Sequence, residues 1–435
     1  KEADHVDGFA KESAIVTHYR LKTDEKSWEI VVDPDAKLEE ELIVRPTSET
    51  IIWNTYKDWI KSYRDLPLLI NQWANVVRRE MRTRLFLRTS EFLWQEWHTA
   101  HASEPEALAE AQQMRQVYDE FLQKVLAIHG YKGEKSESER FAGALNTYTI
   151  EAMMQDGKAL QSCTSHYLGQ NFWKAFDVEF LNKDNKLEHA YATSRGLSTR
   201  ALGGLIMSHS DDQWLVLPPA VAPVHVVVVP FFRSDEDLAN IQDYIQPVLD
   251  DLQTQELSIE TSFKNFRREI VTTIDTDPDK SIWWKLNEYE LQGVPVRISV
   301  WKREIEQGVL EIYRRDTWVK THVKIAEAAK YILDLLHEIQ DDLLNTNIQF
   351  RNDNTVFVES YAEFQQALED GKFVFAHRDG TKETEALIQT ECKAVTRCIP
   401  LKSDDYPFAK KIFEHWSCIK TWKPSLQRVL FARAY

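Results

Sequence analysis

Arg78, Arg79, Arg82, Arg84 and Arg88 crowd one short stretch between two apolar runs that read as strands, 69–78 and 85–96, with Arg88 near the opening of the second. Fixed cations over one sheet face are what a bent triphosphate requires, because positive charge must already stand where the phosphates gain charge in the transition state. From composition alone, the favoured reading of the same spacing is a hairpin whose arginines pair with neighbouring acids on a solvated face. A second string, Gly196-Leu197-Ser198-Thr199-Arg200, sets a glycine that lets backbone approach a ligand beside an arginine that can reach a phosphate. It is neither a P-loop nor a dinucleotide fingerprint, and the sequence contains neither.

Other polar groups stand in apolar surroundings. Thr47, Ser48 and Glu49 follow Arg45-Pro46; Trp94, Gln95 and Glu96 adjoin His98 and His101; Gln161, Cys163, Thr164, Ser165 and His166 precede Leu168-Gly169-Gln170-Asn171. Taken singly, each reads equally well as strand decoration or a satisfied core group. The two histidine-bearing strings lack the helical HExxH context of a zinc protease.

These residues need elements to hold them. At roughly 150 residues per domain, 435 residues predict about three units. In the first, periodicity predicts helices over 48–62 and 103–128. The second has Ser103 as N-cap and Leu108, Met114, Val117, Phe121, Val125 and Ile128 as its apolar face. Strand-like pieces at 69–78, 85–96, 175–181 and 202–209 predict an antiparallel sheet. After Pro218-Pro219 the β-branched run 224–230 predicts a buried strand, followed by helices at 235–254, 282–292 and 323–345 and strands at 257–263, 294–300 and 309–314. This alternation predicts an α/β domain with a mixed sheet. From 346 onward, helices at 361–370 and 381–394 and strands at 373–377 and 428–433 predict a small α/β unit. The divisions are 1–222, 223–335 and 346–435.

The composition, 43% hydrophobic and 28% charged, excludes a disordered chain. No run approaches the length of a membrane span, and four cysteines give no disulfide framework, so a cytoplasmic address is expected. The net charge of −16 argues against a general nucleic-acid coat, although local basic surface can still grip one RNA.

The strings RPTSE (45–49), VVRRE (76–80), FLRTSEFLWQE (86–96), HTAH (98–101), RFAGA (140–144), QSCTSHYLGQNF (161–172) and GLSTR (196–200) together resemble the catalytic domain of class II prolyl-tRNA synthetases. NEYELQGVPVRI (287–298), RRDT (314–317), CIPL (398–401) and QRVLFARAY (427–435) are similar to that family's anticodon-binding and C-terminal domains. The resemblance is colinear over nearly the whole chain. It implies activation of L-proline with ATP and Mg2+ to prolyl-adenylate, then transfer to tRNA(Pro). It also implies a homodimer, with no membrane or DNA partner. The different-class alternative, a non-catalytic tRNA- or protein-binding paralogue, would be marked by loss of the phosphate arginines.

By that resemblance Arg78, Arg88 and Arg200 are the catalytic cations: Arg78 on the α-phosphate and proline carboxylate, Arg88 on the distal phosphates, Arg200 on the γ-phosphate. Phe92 would stack on adenine, and Glu80, Thr89, Gln161, Thr164 and Ser198 would complete the ATP site, with Gln161 near a magnesium ion. Proline would meet Thr47, Glu49, Arg78, Trp94, Glu96, His98, Phe141, His166, Ser194 and Gly196. Helix 103–128 and the Gln161 segment fill the space where some relatives carry an editing insertion, which implies the archaeal/eukaryote-like architecture. Arg79, Trp97, Arg195 and Cys163 depart from the family's usual Trp, Gly, Trp and Ala or Gly. Motif 1, which precedes a string like Lys1 to Val6, is not visible. Cys392, Cys398 and Cys418 lack the family's four-cysteine spacing, so a C-terminal unit without zinc is expected. Tyr435 matches the family's last residue, whose carboxylate lies near the active site. Lys264, Arg267, Arg268, Arg297, Lys302, Arg303, Arg314 and Arg315, interleaved with Phe263, Phe266, Trp283, Trp284 and Trp301, would meet the anticodon.

Overall fold

The computed structural model describes residues 12–435, so the string Lys1 to Val6 lies outside the described residues. A two-stranded antiparallel ribbon, β1 (Ala14–His18) with β2 (Lys37–Val44), leads into helix α1 (Glu49–Trp59). Then come β3 (Leu68–Val77), β4 (Glu91–His101), helix α2 (Glu104–Glu120), β5 (Tyr131–Glu134), β6 (Asn146–Met153), β7 (Ala159–Gly169), β8 (Tyr191–Ser198) and helix α3 (Arg200–His209). The strands form one sheet in the order β3-β4-β8-β7-β6-β5, antiparallel at every pairing.

Side chains alternate across this sheet and assign its two faces. On β4, Glu96 and His98 point towards α1, where Trp53 meets the His98 ring edge-on at 5.8 Å and Tyr56 Oη donates to the His98 carbonyl at 2.9 Å. Gln95, Trp97 and Thr99 point the other way, under α2, where Tyr118 Oη donates to Gln95 at 2.6 Å. The buried stripe of α2 is Ala107, Ala111, Met114 and Tyr118, while Leu108 and Val117 of the expected apolar face are only half-buried. Close packing of α2 on the strands selects its small residues. After Glu120 the chain widens into a π-turn over Phe121–Val125.

Three local expectations are corrected. The run 202–209 is the helix α3, because Gly203 and Gly204 let its backbone lie against Leu87 and Leu160; a Cβ at either position would stand 2.8–2.9 Å from those side chains. The run 175–181 splits into the end of a short helix, Asn171–Phe176, and the strand Glu179–Leu181. Arg88 belongs to a loop closed by paired backbone hydrogen bonds between Arg84 and Arg88, and β4 starts only at Glu91.

The second unit contains β9 (Val226–Pro230), α4 (Asp235–Gln253), β10 (Thr272–Ile274), α5 (Ile282–Leu291), β11 (Val296–Val300), β12 (Val309–Arg314), β13 (Lys320–Lys324) and the 29-residue helix α6 (Ile325–Asp353). Ser234 caps α4 by accepting from Asp237 N at 3.1 Å, with acids throughout its first turn. The sheet order is β10-β9-β11-β12-β13, parallel at its first two pairings and antiparallel thereafter. The third unit comprises β14 (Thr355–Phe357), α7 (Tyr361–Glu369), β15 (Phe373–His377), α8 (Lys382–Cys392), β16 (Val395–Cys398) and β17 (Arg428–Ala432), in sheet order β14-β15-β17-β16. Its core is Phe364, Val374, Ile388 and Phe431, into which Cys392 is packed. Among the described residues, no group of three or more His, Cys, Asp or Glu is placed to hold a metal ion.

Candidate active site

A cavity of about 270 Å³ opens on the α1 side of the catalytic sheet. Arg78, just past β3, is anchored by Nε donating to the Pro46 carbonyl at 2.9 Å, and its guanidinium lies 5.3 Å from the Phe92 ring centroid and 5.8 Å from that of Trp94. Arg200 opens α3, with Nε on the Leu87 carbonyl at 2.9 Å. Burial, then the charges of Arg88 and Arg78, push the Arg200 guanidinium down to about 10. It is still a cation at neutral pH, with Arg78 and Arg88 near enough to disfavour its charge. Arg88 is the outermost, donating to Glu80 at 3.3 Å and to the backbone oxygen of Tyr435 at 3.1 Å. Such a concentration of positive charge is an anion site.

The other end of the cavity is aromatic and neutral. Phe141 stacks on His166 with centroids 4.5 Å apart. His166 is held between Thr147 Oγ1 at 3.0 Å and Thr164 Oγ1 at 3.1 Å, and burial pushes its imidazole down to about 4, so it is uncharged at neutral pH. Trp94 closes another wall. Gly196 lies directly beneath it: a Cβ there would stand 2.9 Å from the indole ring, so glycine is required for the ring to lie flat on β8. Glu49 borders the space and accepts from Thr47 Oγ1.

Of the residues expected from sequence, Glu49, Arg78, Phe92, Trp94, Phe141, Gln161, Thr164, His166, Gly196, Ser198 and Arg200 line the cavity together. Thr47, Glu96, His98 and Ser194 are buried behind that lining. Glu96 accepts from Ser48 and Gln72, both at 2.5 Å, and bonds His98 at 2.9 Å. Ser194 sits opposite His98 and His166 in register, its hydroxyl without a hydrogen-bond partner among the described residues. Glu80 and Thr89 stay with Arg88 in and near the loop before β4, outside the lining. Sequence reading did not assign Glu139, Arg140, Thr147, Ser162 and Cys163 to the site; they border the cavity, as does Arg195, which the sequence marks only as a departure beside the pocket. Arg140 opens the RFAGA string and Glu139 directly precedes it, the one signal that could have found them; Thr147 and Ser162 lie on β6 and β7, strands the periodicity did not reveal.

In the second unit a wide groove of about 2040 Å³ is lined by Trp283, Trp301, Trp318, Arg233, Lys302 and Lys320, among others. Trp283 is 82% exposed. Several expected cations are instead spent on acids: Arg314 bonds Asp316, Glu338 and Asp342, Arg315 bonds Asp211 twice, at 2.8 and 2.9 Å, and Arg297 bonds Glu290 at 2.7 Å.

Residues 30–209 match the class II core domain of tRNA synthetases for glycine, histidine, proline, serine and threonine, residues 225–335 match the anticodon binding domain, and residues 361–435 match the prolyl-tRNA synthetase C-terminal domain. The chain is 55% identical to a proline–tRNA ligase of Parabacteroides distasonis over 435 residues, all of this chain and 84% of that protein. It is 54% identical to proline–tRNA ligases of Porphyromonas gingivalis and Cytophaga hutchinsonii, again over 100% of this chain and 84% of theirs. With the arginine cluster, the aromatic pocket and all three domain types in one chain, this protein belongs to the prolyl-tRNA synthetase family, class II.

Proposed function

We propose that the cavity between Arg78, Arg200 and Phe141 carries out both half-reactions of prolyl-tRNA synthesis. The observation that carries this reading is a cavity lined at one end by Arg78 and Arg200, with Arg88 just outside, and at the other by Trp94, Phe141 and the neutral His166, with the Glu49 carboxylate at its border. Proline carboxylate attacks the α-phosphorus of ATP in line and pyrophosphate leaves. The 3′-terminal ribose hydroxyl of tRNA(Pro) then attacks the prolyl carbonyl and AMP leaves. No enzyme nucleophile is needed, and the chain's work is positioning and charge stabilisation.

Arg78 spans the reacting carboxylate and α-phosphate, Arg88 the distal phosphates, and Arg200 the γ-phosphate. Phe92 carries the adenine, with Glu80, Thr89, Thr164 and Ser198 around the nucleotide. The secondary ammonium of proline donates to Glu49 and Thr47, while Trp94, Phe141 and His166 enclose its ring. Glu96, His98, Ser194 and Gly196 hold that wall. Gln161, half-buried at the cavity rim, would hold Mg2+. The ion, when bound, neutralises phosphate charge and needs few protein ligands, since it keeps most of its waters.

The tryptophan-lined groove of the second unit would stack anticodon bases, and Lys302 and Lys320 would meet phosphates. A homodimer is favoured by the exposed apolar side chains of the β1–β2 ribbon, with Ile15, Leu42 and Ile43 all more than half exposed. We take the unit divisions as 1–222, 223–335 and 346–435, with helix α6 running unbroken across the boundary of the last two, the architecture as archaeal/eukaryote-like in lacking an editing insertion, and the setting as cytoplasmic. The paralogue alternative is disfavoured because Arg78, Arg88 and Arg200 are all present.

The test is amino-acid-dependent ATP–pyrophosphate exchange across all twenty amino acids. Exchange with proline, and weakly with alanine or cysteine, is the expected result, since a missing methylene is worth only about 1–3 kcal/mol. No exchange from folded protein overturns the reading.

A further inference from the structure

The loop that brings Phe141 to the cavity joins β5 to β6, and its entry is gripped from behind by the third unit. Glu134 exchanges backbone hydrogen bonds with Ile399, at 2.9 and 2.7 Å. Lys135 Nζ donates to the Arg397 carbonyl at 2.9 Å and to Glu151 at 2.6 Å. Arg397 donates twice to the same Glu151 carboxylate, at 2.9 and 2.6 Å. Ser136 Oγ donates to Glu385 at 2.8 Å, Ser138 Oγ donates to the other Glu385 oxygen, and Arg378 fixes that carboxylate from its own unit at 2.6 Å.

Apart from the exposed Ser138, these side-chain anchors are buried. Lys135, Glu151, Glu385 and Arg397 are each buried, and Glu151 is fully so. Buried charges held by several hydrogen bonds permit one geometry, because any displacement leaves a desolvated charge without its partner. The anchored residues end at Ser138, and the next three, Glu139, Arg140 and Phe141, line the cavity.

We propose that the third unit is a positioning element for the amino-acid pocket. Glu385 and Arg397 set the entry of the 135–145 loop, and thereby the stacking of Phe141 on His166 and the affinity for the amino acid. Glu385 and Arg397 touch no substrate and act through Ser136, Ser138 and Lys135. The identity of the amino acid rests on the function proposed above; the positioning of the loop does not.

Two variants separate the possibilities. Ser136→Ala combined with Ser138→Ala releases the loop while leaving the Glu385–Arg378 pair intact. Asp404→Asn weakens the same unit-to-unit contact elsewhere, at the paired hydrogen bonds of 2.7 and 2.6 Å from Arg115 on α2. The serine variant is expected to raise KM for proline about two- to tenfold, the worth of one or two hydrogen bonds, with KM for ATP unchanged. Its amide hydrogen exchange over 139–145 is expected to quicken in the ligand-free protein. Asp404→Asn is expected to lower the melting temperature without either change. Unaltered exchange over 139–145 in the serine variant overturns the proposal whatever the amino acid is. Equal rises in KM for proline in both variants overturn it as well, because general undocking would then be the cause.

Discussion

Arg195 lies over the ring of Trp97, its guanidinium carbon 4.5 Å from the indole centroid, and the two residues are direct partners across β8 and β4. The same guanidinium donates to Glu110 of α2 at 2.5 Å and to Thr193 at 3.3 Å. The two residues expected from the resemblance to be departures, one on each strand, are therefore a single contact. It forms on the α2 face of the sheet, while Trp94 and Glu96 turn to the other face.

Reverting either partner alone should then be harmful. Trp97→Gly removes a half-buried indole and is expected to cost about 2–3 kcal/mol in urea unfolding. Arg195→Trp forces two indoles together and leaves Glu110 unpaired. The double reversion is expected to cost at least about 1 kcal/mol less than the sum of the singles. Strict additivity would refute the coupling.

Arg200→Ala is expected to lower kcat for pyrophosphate exchange by about 10²–10³, as removal of one preorganised charge donor does elsewhere. Lysine should rescue it poorly, because a single ammonium lacks the planar fork whose Nε holds the Leu87 carbonyl while the terminal nitrogens stay free for a phosphate. An unchanged rate in Arg200→Ala would remove this residue from the site.

His166 is held near 4 by burial, against an ordinary value of 6.5. Above 6.5 both folded and unfolded states keep the ring neutral, and its packing contributes fully. As pH falls from 6.5 towards 4 the unfolded chain takes up a proton that the folded one refuses, so stability is lost. His129, His209, His225 and His377 are also lowered and add to the same slope. His166→Gln should shrink the loss of unfolding free energy between pH 7 and pH 5 by about 2 kcal/mol. An undiminished loss would mean that His166 is protonated in the folded protein.

Trp283 contributes little to packing, so Trp283→Ala tests the groove without unsettling the fold. KM for tRNA is expected to rise about tenfold, the scale of one lost base-stacking contact, with pyrophosphate exchange unaltered. A matching fall in exchange would point to misfolding rather than to lost RNA contact.

Much of the scaffold was legible in the sequence. Val226–Pro230, Asp235–Gln253, Phe373–His377 and Lys382–Cys392 follow from β-branched runs, helical periodicity and capping residues within a few positions. The helix Arg200–His209 was misread because a short apolar run has no decisive period, and its glycines report on neighbours that are distant in sequence. The arginines Arg78 and Arg200 were found as chemistry-bearing residues, but their convergence depends on a loop, and no local pattern specifies a loop. The contact of Trp97 with Arg195 is set by register between strands almost a hundred residues apart, and single-residue types carry no trace of it.

Helix α6 joins the first two units. Its Ile332, Leu335, Leu336 and Leu343 belong to the same continuous core as Leu122, Val125 and Ile128 of the catalytic unit and Ile245 and Leu249 of α4. Asn347 accepts from His129 N at 2.8 Å, and Gln340 donates to the Lys124 carbonyl at 2.9 Å. A shared core leaves no flexible joint between the first two units. Calorimetry should record one merged endotherm for them rather than two separate ones, and a fragment cut at the junction near 222 should expose oily surface and precipitate.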